Sequence, residues 1–290
     1  MNFLVLWIVL NAVVLGLAYP LSAFAYHVLQ QKSLGPIEQR LFGTLSLASG
    51  PMSWREYLLA LLKFQFWGWL LIYLLARFQS GSHHYLPDAS FELASSFVTN
   101  TNWLSFSGEQ YWQLPLWLLG VMAQNFFSAA TGICVLLVFS RCFKGKDANL
   151  GNFGLDMWRS NVYVLLPIAL IAALFLVWQG SPQNFASNLV ISQYDNSQSL
   201  TQLLPMGPIA SQESIKLIGT NGGGYTFSNS GHPFENPTFL THCLGMVLML
   251  LLPAMGCFLF ARINQQLSYG FYIWLVIFTG KPICRLCLSH

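Results

Sequence analysis

Five apolar stretches, each long enough to cross a lipid bilayer as a helix, constrain this sequence more than any other feature. They cover residues 3–26, 57–78, 114–143, 162–178 and 239–261. A membrane-spanning helix needs about 20 mainly apolar residues. Only 8% of the residues are charged, whereas a soluble domain carries about 25%. The sequence therefore predicts an all-α integral membrane protein whose surroundings are membrane lipid, and the net charge of +3 favours no nucleic-acid partner.

Basic residues between the spans predict the orientation of the chain. If the spans alternate in direction, these residues all fall on one side of the membrane, which is the cytoplasmic side by the positive-inside rule. We therefore expect a multi-pass protein with its N-terminus outside. A sixth apolar stretch begins near Tyr269 and is expected to end near Thr279, about half a span. The basic residues are Lys32, Arg40, Arg55, Arg141, Lys144, Lys146, Arg159 and Arg262.

The two predicted outer loops share one plan. Each contains a short, moderately apolar segment, residues 91–98 or 210–218, followed by a string rich in Thr, Asn and Gly. The first string is residues 99–103 and the second string is residues 219–224. Segments this short cannot cross a bilayer, so they are expected to dip into the membrane from outside as half-helices. Helix, pore helix, filter and helix would then form an internal repeat of about 119 residues, taken from Asn102 to Asn221.

The polar strings offer neutral oxygen atoms, which suit a potassium ion that has shed its water. Glycine allows an extended backbone to point several carbonyl groups one way. The negative ends of the half-helix dipoles would also favour a cation. A run of three glycines is equally typical of a flexible loop, and that alternative stays open. The predicted potassium ligands are Thr99, Asn100, Thr101, Asn102, Gly219, Thr220, Asn221, Gly222, Gly223 and Gly224.

At these strings the sequence resembles a known family, the potassium-binding A subunit of the Kdp-type potassium-transporting ATPase. The resemblance runs from the N-terminus to about residue 275. The family commonly has Gln where this chain has Leu104, so ion affinity or selectivity is expected to differ. The motifs that carry the resemblance are residues 96–103, 124–132, 150–152, 202–213, 219–224 and 232–238.

The resemblance implies a potassium-channel-like fold of four helix–pore helix–filter–helix units, of which this chain holds two plus an extra N-terminal helix. It also implies a role in which the chain binds external K⁺ and passes it to a P-type ATPase B subunit. A C subunit and a small F subunit would complete the complex in the bacterial plasma membrane. ATP hydrolysis is expected on the B subunit, so this chain is expected to be non-catalytic. The filter positions carried over are Thr101, Asn102, Thr220, Asn221 and Gly222.

The resemblance and the spans together predict five segments. Family members are nearly twice as long, and residues 280–290 do not resemble them, so a truncation or frameshift is one expectation. Two other functions stay open: a free-standing K⁺ channel or symporter of the same superfamily, and an inactive truncated remnant. The predicted segments are residues 1–55 (extra helix and cytoplasmic loop), 56–143 (first pore unit), 144–160 (cytoplasmic loop), 161–263 (second pore unit) and 264–290 (incomplete helix and tail).

Overall fold

A computed structural model shows a largely helical chain. It describes residues 3–31, 33–44, 50–79, 86–103, 113–145, 149–195, 198–226 and 228–288. For residues 3, 192–202 and 278–288 the side chains are not described. Leu104, with its departure from the family pattern, lies outside the described residues, as do Lys32 and Lys146.

Helices form nearly all of the described structure. Two segments of wider π-helix, Leu116–Met122 and Ser160–Leu165, lead into the α-helices that follow them. The α-helices are α1 (Phe3–Leu29), α2 (Pro36–Thr44), α3 (Trp54–Phe78), α4 (Pro87–Val98), α5 (Ala123–Cys142), α6 (Phe153–Arg159), α7 (Leu166–Trp178), α8 (Ile209–Ile218), α9 (Phe239–Ile263) and α10 (Leu267–Leu288).

The predicted membrane class is confirmed. Within the described residues, five helical stretches are long and apolar enough to cross a membrane: Leu4–Leu29, Trp54–Phe78, Leu116–Cys142, Phe153–Trp178 and Phe239–Ile263. They coincide with the five predicted spans, although the fourth begins nine residues earlier than residue 162. The reason is a helix cap: the Asn152 side chain accepts a hydrogen bond from the Leu155 amide at 3.2 Å, which starts the helix before the apolar run.

Two local features add to the sequence predictions. The sixth apolar stretch is short as expected, since its apolar part covers Leu267–Ile277 among the described residues, but the helix α10 itself continues to Leu288; helical hydrogen bonds do not require apolar side chains. The chain between α7 and α8 also contains an unpredicted antiparallel hairpin of β1 (Leu189–Asp195) and β2 (Gln198–Leu204). Pairing lets the backbone groups of each strand bond to those of the other.

The chain divides into two compact units. The first unit comprises residues 1–62, 130–164 and 247–290, and the second unit comprises residues 63–129 and 165–246. Each contains parts of both predicted pore units, and the predicted segment boundaries stay a prediction. Both half-helices, α4 and α8, and both polar strings belong to the second unit.

Buried ion pairs hold the first unit together. Arg141 contacts Asp156 at 2.6 Å, and Tyr57 donates its hydroxyl to the same carboxylate at 3.0 Å. Arg159 contacts Glu38 at 2.8 Å, and this hydrogen bond holds the pKa of Glu38 below its ordinary value of 4.5. Both arginines are at most 5% exposed. Two of the basic residues used to predict orientation are therefore internal, paired charges rather than surface charges.

The half-helix α4 lies in the apolar core of the second unit. Leu93 and Phe97 point into a cluster to which α3 contributes Ile72. The Trp117 ring stacks on the Tyr225 ring with centroids 4.4 Å apart, which ties the π-helical segment to the chain after the second string. Packing of this kind fixes where α4 ends, and so where the first string begins.

Candidate cation site

The first string leaves α4 in a tight backbone turn. The Ser96 carbonyl accepts hydrogen bonds from the Thr101 amide at 3.0 Å and from the Asn102 amide at 3.1 Å. Asn100 and Asn102 have left-handed backbones, with φ of 61° and 51°. Asparagine tolerates this conformation better than most residues. The sequence Asn-Thr-Asn therefore suits a chain that must reverse away from the helix end.

The second string leaves α8 in the same way. The Lys216 carbonyl accepts the Asn221 amide at 3.1 Å, and the left-handed residues are Thr220 (φ 53°) and Gly222 (φ 95°). Glycine adopts this conformation freely, but a β-branched residue such as threonine is strained there. Strain of this kind, worth about 1–3 kcal/mol, concentrates at functional sites.

The two strings share one backbone pattern at a spacing of 120 residues, close to the predicted repeat of about 119. With that spacing Asn100 matches Thr220 and Asn102 matches Gly222, so the left-handed residues coincide. The hydrogen bonds that end the two helices coincide as well, because Thr101 bonds to Ser96 as Asn221 bonds to Lys216. The backbone therefore pairs Asn221 with Thr101, one residue before Asn102.

Side-chain hydrogen bonds join the strings to each other and to α5. The Asn221 amide nitrogen donates to the side-chain oxygen of Asn100, to the Ser128 hydroxyl at 3.2 Å and to the Asn125 carbonyl at 3.3 Å. Ser128 donates to the same oxygen of Asn100 at 2.8 Å. Asn100 donates in turn to the Gly219 carbonyl at 3.4 Å. Asn221 thus braces the second string against the first.

Close approach explains two of the glycines. A Cβ atom at Gly223 would lie 2.8 Å from the Asn102 carbonyl oxygen, on the other string. A Cβ atom at Gly219 would overlap the Asn221 side-chain oxygen. Any larger residue at either position would displace the neighbouring group, so the strings need glycine there for packing.

The structure brings all ten predicted site residues together in the second unit. Asn102 and Asn221 are 5% and 3% exposed, and the side-chain oxygen of each has no hydrogen-bond partner among the described residues. A buried oxygen without a hydrogen-bond partner costs free energy unless a ligand contacts it. These two amide oxygens are therefore suitable for a dehydrated monovalent cation. The exposed members are Thr99, Thr101, Thr220 and Gly222, Asn100 is half-buried, and the remaining glycines are buried.

The sequence reasoning missed two residues that the site uses. Asn125 and Ser128 lie on α5, where the main-chain carbonyl of Asn125 accepts from Asn221 and the Ser128 hydroxyl bonds to both Asn221 and Asn100. A signal was present for Ser128, because a polar side chain within an otherwise apolar span usually has a specific function. A main-chain carbonyl such as that of Asn125 leaves no signal in the sequence.

Comparison with known proteins now identifies the family. The sequence profile described as "Potassium-transporting ATPase A subunit" matches residues 8–287. The chain belongs to the potassium-transporting ATPase A subunit family. Relatives named "Potassium-transporting ATPase potassium-binding subunit" include those of Hydrogenobaculum sp. (43% identical over 85% of this chain), Serratia proteamaculans (42% over 89%) and Laribacter hongkongensis (39% over 92%).

The match covers only about half of each of these relatives. The matched regions cover 45%, 47% and 50% of those three relatives, so the chain spans about half the length of the curated relatives it matches. The family profile reaches residue 287. The expectation that the resemblance ends near residue 275 is therefore wrong, and most of the tail lies within the matched region.

Proposed function

We propose that this chain is a potassium-binding, ion-selecting part of an ATP-driven potassium importer. It binds external K⁺ at the two strings and passes the ion to a P-type ATPase B subunit, with C and F subunits completing the complex. The chain lies in the bacterial plasma membrane with its N-terminus outside. ATP hydrolysis belongs to the B subunit.

One observation carries the proposal. Two strings from two half-helices contact each other through Asn100 and Asn221 and present hydroxyl, amide and carbonyl oxygens without a carboxylate in either string. Neutral oxygens compensate a weakly hydrated monovalent cation for its lost water. A divalent cation would favour carboxylates instead. The names of the relatives agree with K⁺ as the cargo.

Ion binding is tested on the purified chain in lipid nanodiscs. Anything that binds only the folded state raises its stability, so KCl should raise the unfolding temperature more than equal NaCl or choline chloride. Asn221→Leu should abolish the K⁺-specific rise. Asn264→Leu, which changes an asparagine at the end of α9, is the matched control and should keep it. Equal shifts with all three salts would refute potassium binding.

Transport and partners need a cell-based test. The chain is expressed with B, C and F subunits of a relative in bacteria that lack potassium importers, and growth is followed at micromolar K⁺. Growth that is lost in the Asn221→Leu variant supports the proposal. No growth, in cells where the chain is inserted in the membrane, would refute a role in import.

A further inference from the structure

A buried cluster of charged side chains lies beside the second string. Lys216, on α8, contacts Glu213 one turn earlier at 2.6 Å and Glu235 at 3.8 Å. All three side chains are at most 3% exposed. Charges so completely buried are costly, and a protein keeps them only when they are paired and well hydrogen-bonded.

The cluster fixes the chain that follows the string. Glu235 accepts the Thr226 amide at 2.8 Å and the Ser230 amide at 3.0 Å. Lys216 donates to the Ser230 hydroxyl at 2.7 Å, and that hydroxyl donates to Glu213 at 2.5 Å. Ser230 has a left-handed backbone, with φ of 68°. A strained residue of this kind persists only when its surroundings hold it, and here the cluster does so.

The cluster also contacts the string itself. A Cβ atom at Gly224 would lie 2.7 Å from a Glu235 carboxylate oxygen and 3.1 Å from the Lys216 ammonium. The carbonyl of Lys216 accepts the Asn221 amide, so one residue anchors the start of the string and lies against its end. A change in the cluster must therefore alter the backbone that would hold the ion.

The charges in the cluster do not cancel. With both carboxyl groups ionised, the two carboxylates and one ammonium have a formal net charge of −1, whereas the string from Gly219 to Gly224 carries no charged side chain. We propose that the Glu213–Lys216–Glu235 cluster positions the second string and supplies a buried negative charge that favours a cation there. These are positioning residues that act through the string, and the inference rests on the proposed potassium binding.

Charge is tested by a substitution that removes one carboxylate but leaves the amide hydrogen bonds to Glu235 in place. Glu213→Gln makes the cluster neutral and keeps the side-chain shape. One unit charge at roughly 10 Å, with an effective dielectric constant of about 20, corresponds to a change of about tenfold in affinity. Glu213→Gln should raise the K⁺ concentration for half-maximal stabilisation by about that factor, while amide hydrogen exchange at Thr226 and Ser230 in choline chloride stays unchanged. An unchanged half-maximal concentration, or exchange that quickens together with the loss of affinity, would overturn the electrostatic part.

Positioning is tested without any ion. Lys216→Met keeps most of the side-chain volume but removes the ammonium, so amide hydrogen exchange at Thr226 and Ser230 should quicken at least tenfold in choline chloride. Lys63→Met, on the exposed face of α3, is the control and should leave that exchange unchanged. Unchanged exchange in Lys216→Met would overturn the inference. A wild-type chain without K⁺-specific stabilisation would instead refute the proposed function, and the exchange result would still decide whether the cluster positions the string.

Discussion

The contact between the two strings predicts that Gly223→Ala destabilises the second unit and disturbs ion binding together. The added Cβ would lie 2.8 Å from the Asn102 carbonyl oxygen and 3.0 Å from its Cβ, whereas ordinary contact begins at 3.4 Å. The strings would have to separate by about 0.5 Å, and overpacking of this kind costs about 1–3 kcal/mol. Gly223 is not left-handed, so the cost comes from the contact rather than from backbone conformation.

Two other glycines provide matched controls. No atom lies within 4 Å of a Cβ built at Gly222, but its φ of 95° means that Gly222→Ala strains the backbone without pushing on Asn102. Gly132, on α5, is helical and open, so Gly132→Ala should raise the free energy of unfolding by up to about 1 kcal/mol. Unfolding is followed by tryptophan fluorescence during SDS titration of mixed micelles, in KCl and in choline chloride. If Gly223→Ala matched Gly132→Ala in stability, the close approach of the strings would be refuted.

Further predictions concern the amide brace and the buried charges. Asn221→Asp keeps the side-chain size but replaces the amide donor by a buried carboxylate that faces other acceptors, so it should lower the free energy of unfolding in choline chloride by about 2 kcal/mol or more; an unchanged melting temperature would contradict this. Arg141→Met leaves Asp156 buried without its ion partner and should cost about 3–5 kcal/mol in SDS titration, and adding Asp156→Asn should recover part of that loss. Because the hydrogen bond from Arg159 lowers the folded-state pKa of Glu38, its contribution to stability is complete above the ordinary value of 4.5 and is lost as pH falls through the lower folded value. Glu38→Gln should therefore flatten the decline in melting temperature below pH 4.5, and an unaltered pH profile would contradict this assignment.

The features that the sequence predicted well are those that the bilayer dictates. A span must be long, apolar and helical because backbone groups in lipid have no other partner. The two short helices were predictable for a related reason, since residues 91–98 and 210–218 are too short to span but too apolar for an ordinary loop; that they enter the membrane as half-helices stays a prediction. Their observed bounds, Pro87–Val98 and Ile209–Ile218, agree closely.

Features that depend on tertiary contacts were not predictable from one sequence. The hairpin of β1 and β2 lacks the glycine-containing turn sequence, such as Asn-Gly or Asp-Gly, that most strongly predicts a hairpin. The brace from Asn221 to Asn125 and Ser128 joins residues more than 90 positions apart. Periodicity and composition carry no information about which distant carbonyl or hydroxyl group accepts a hydrogen from the Asn221 amide.

The spacing of 120 residues places unlike side chains at equivalent backbone positions of the two strings. Asn100 carries an amide where the second string has the hydroxyl of Thr220. Asn102 carries an amide where the second string has Gly222, which has no side chain. An ion bound between the two strings would therefore contact a different set of oxygen atoms on each side.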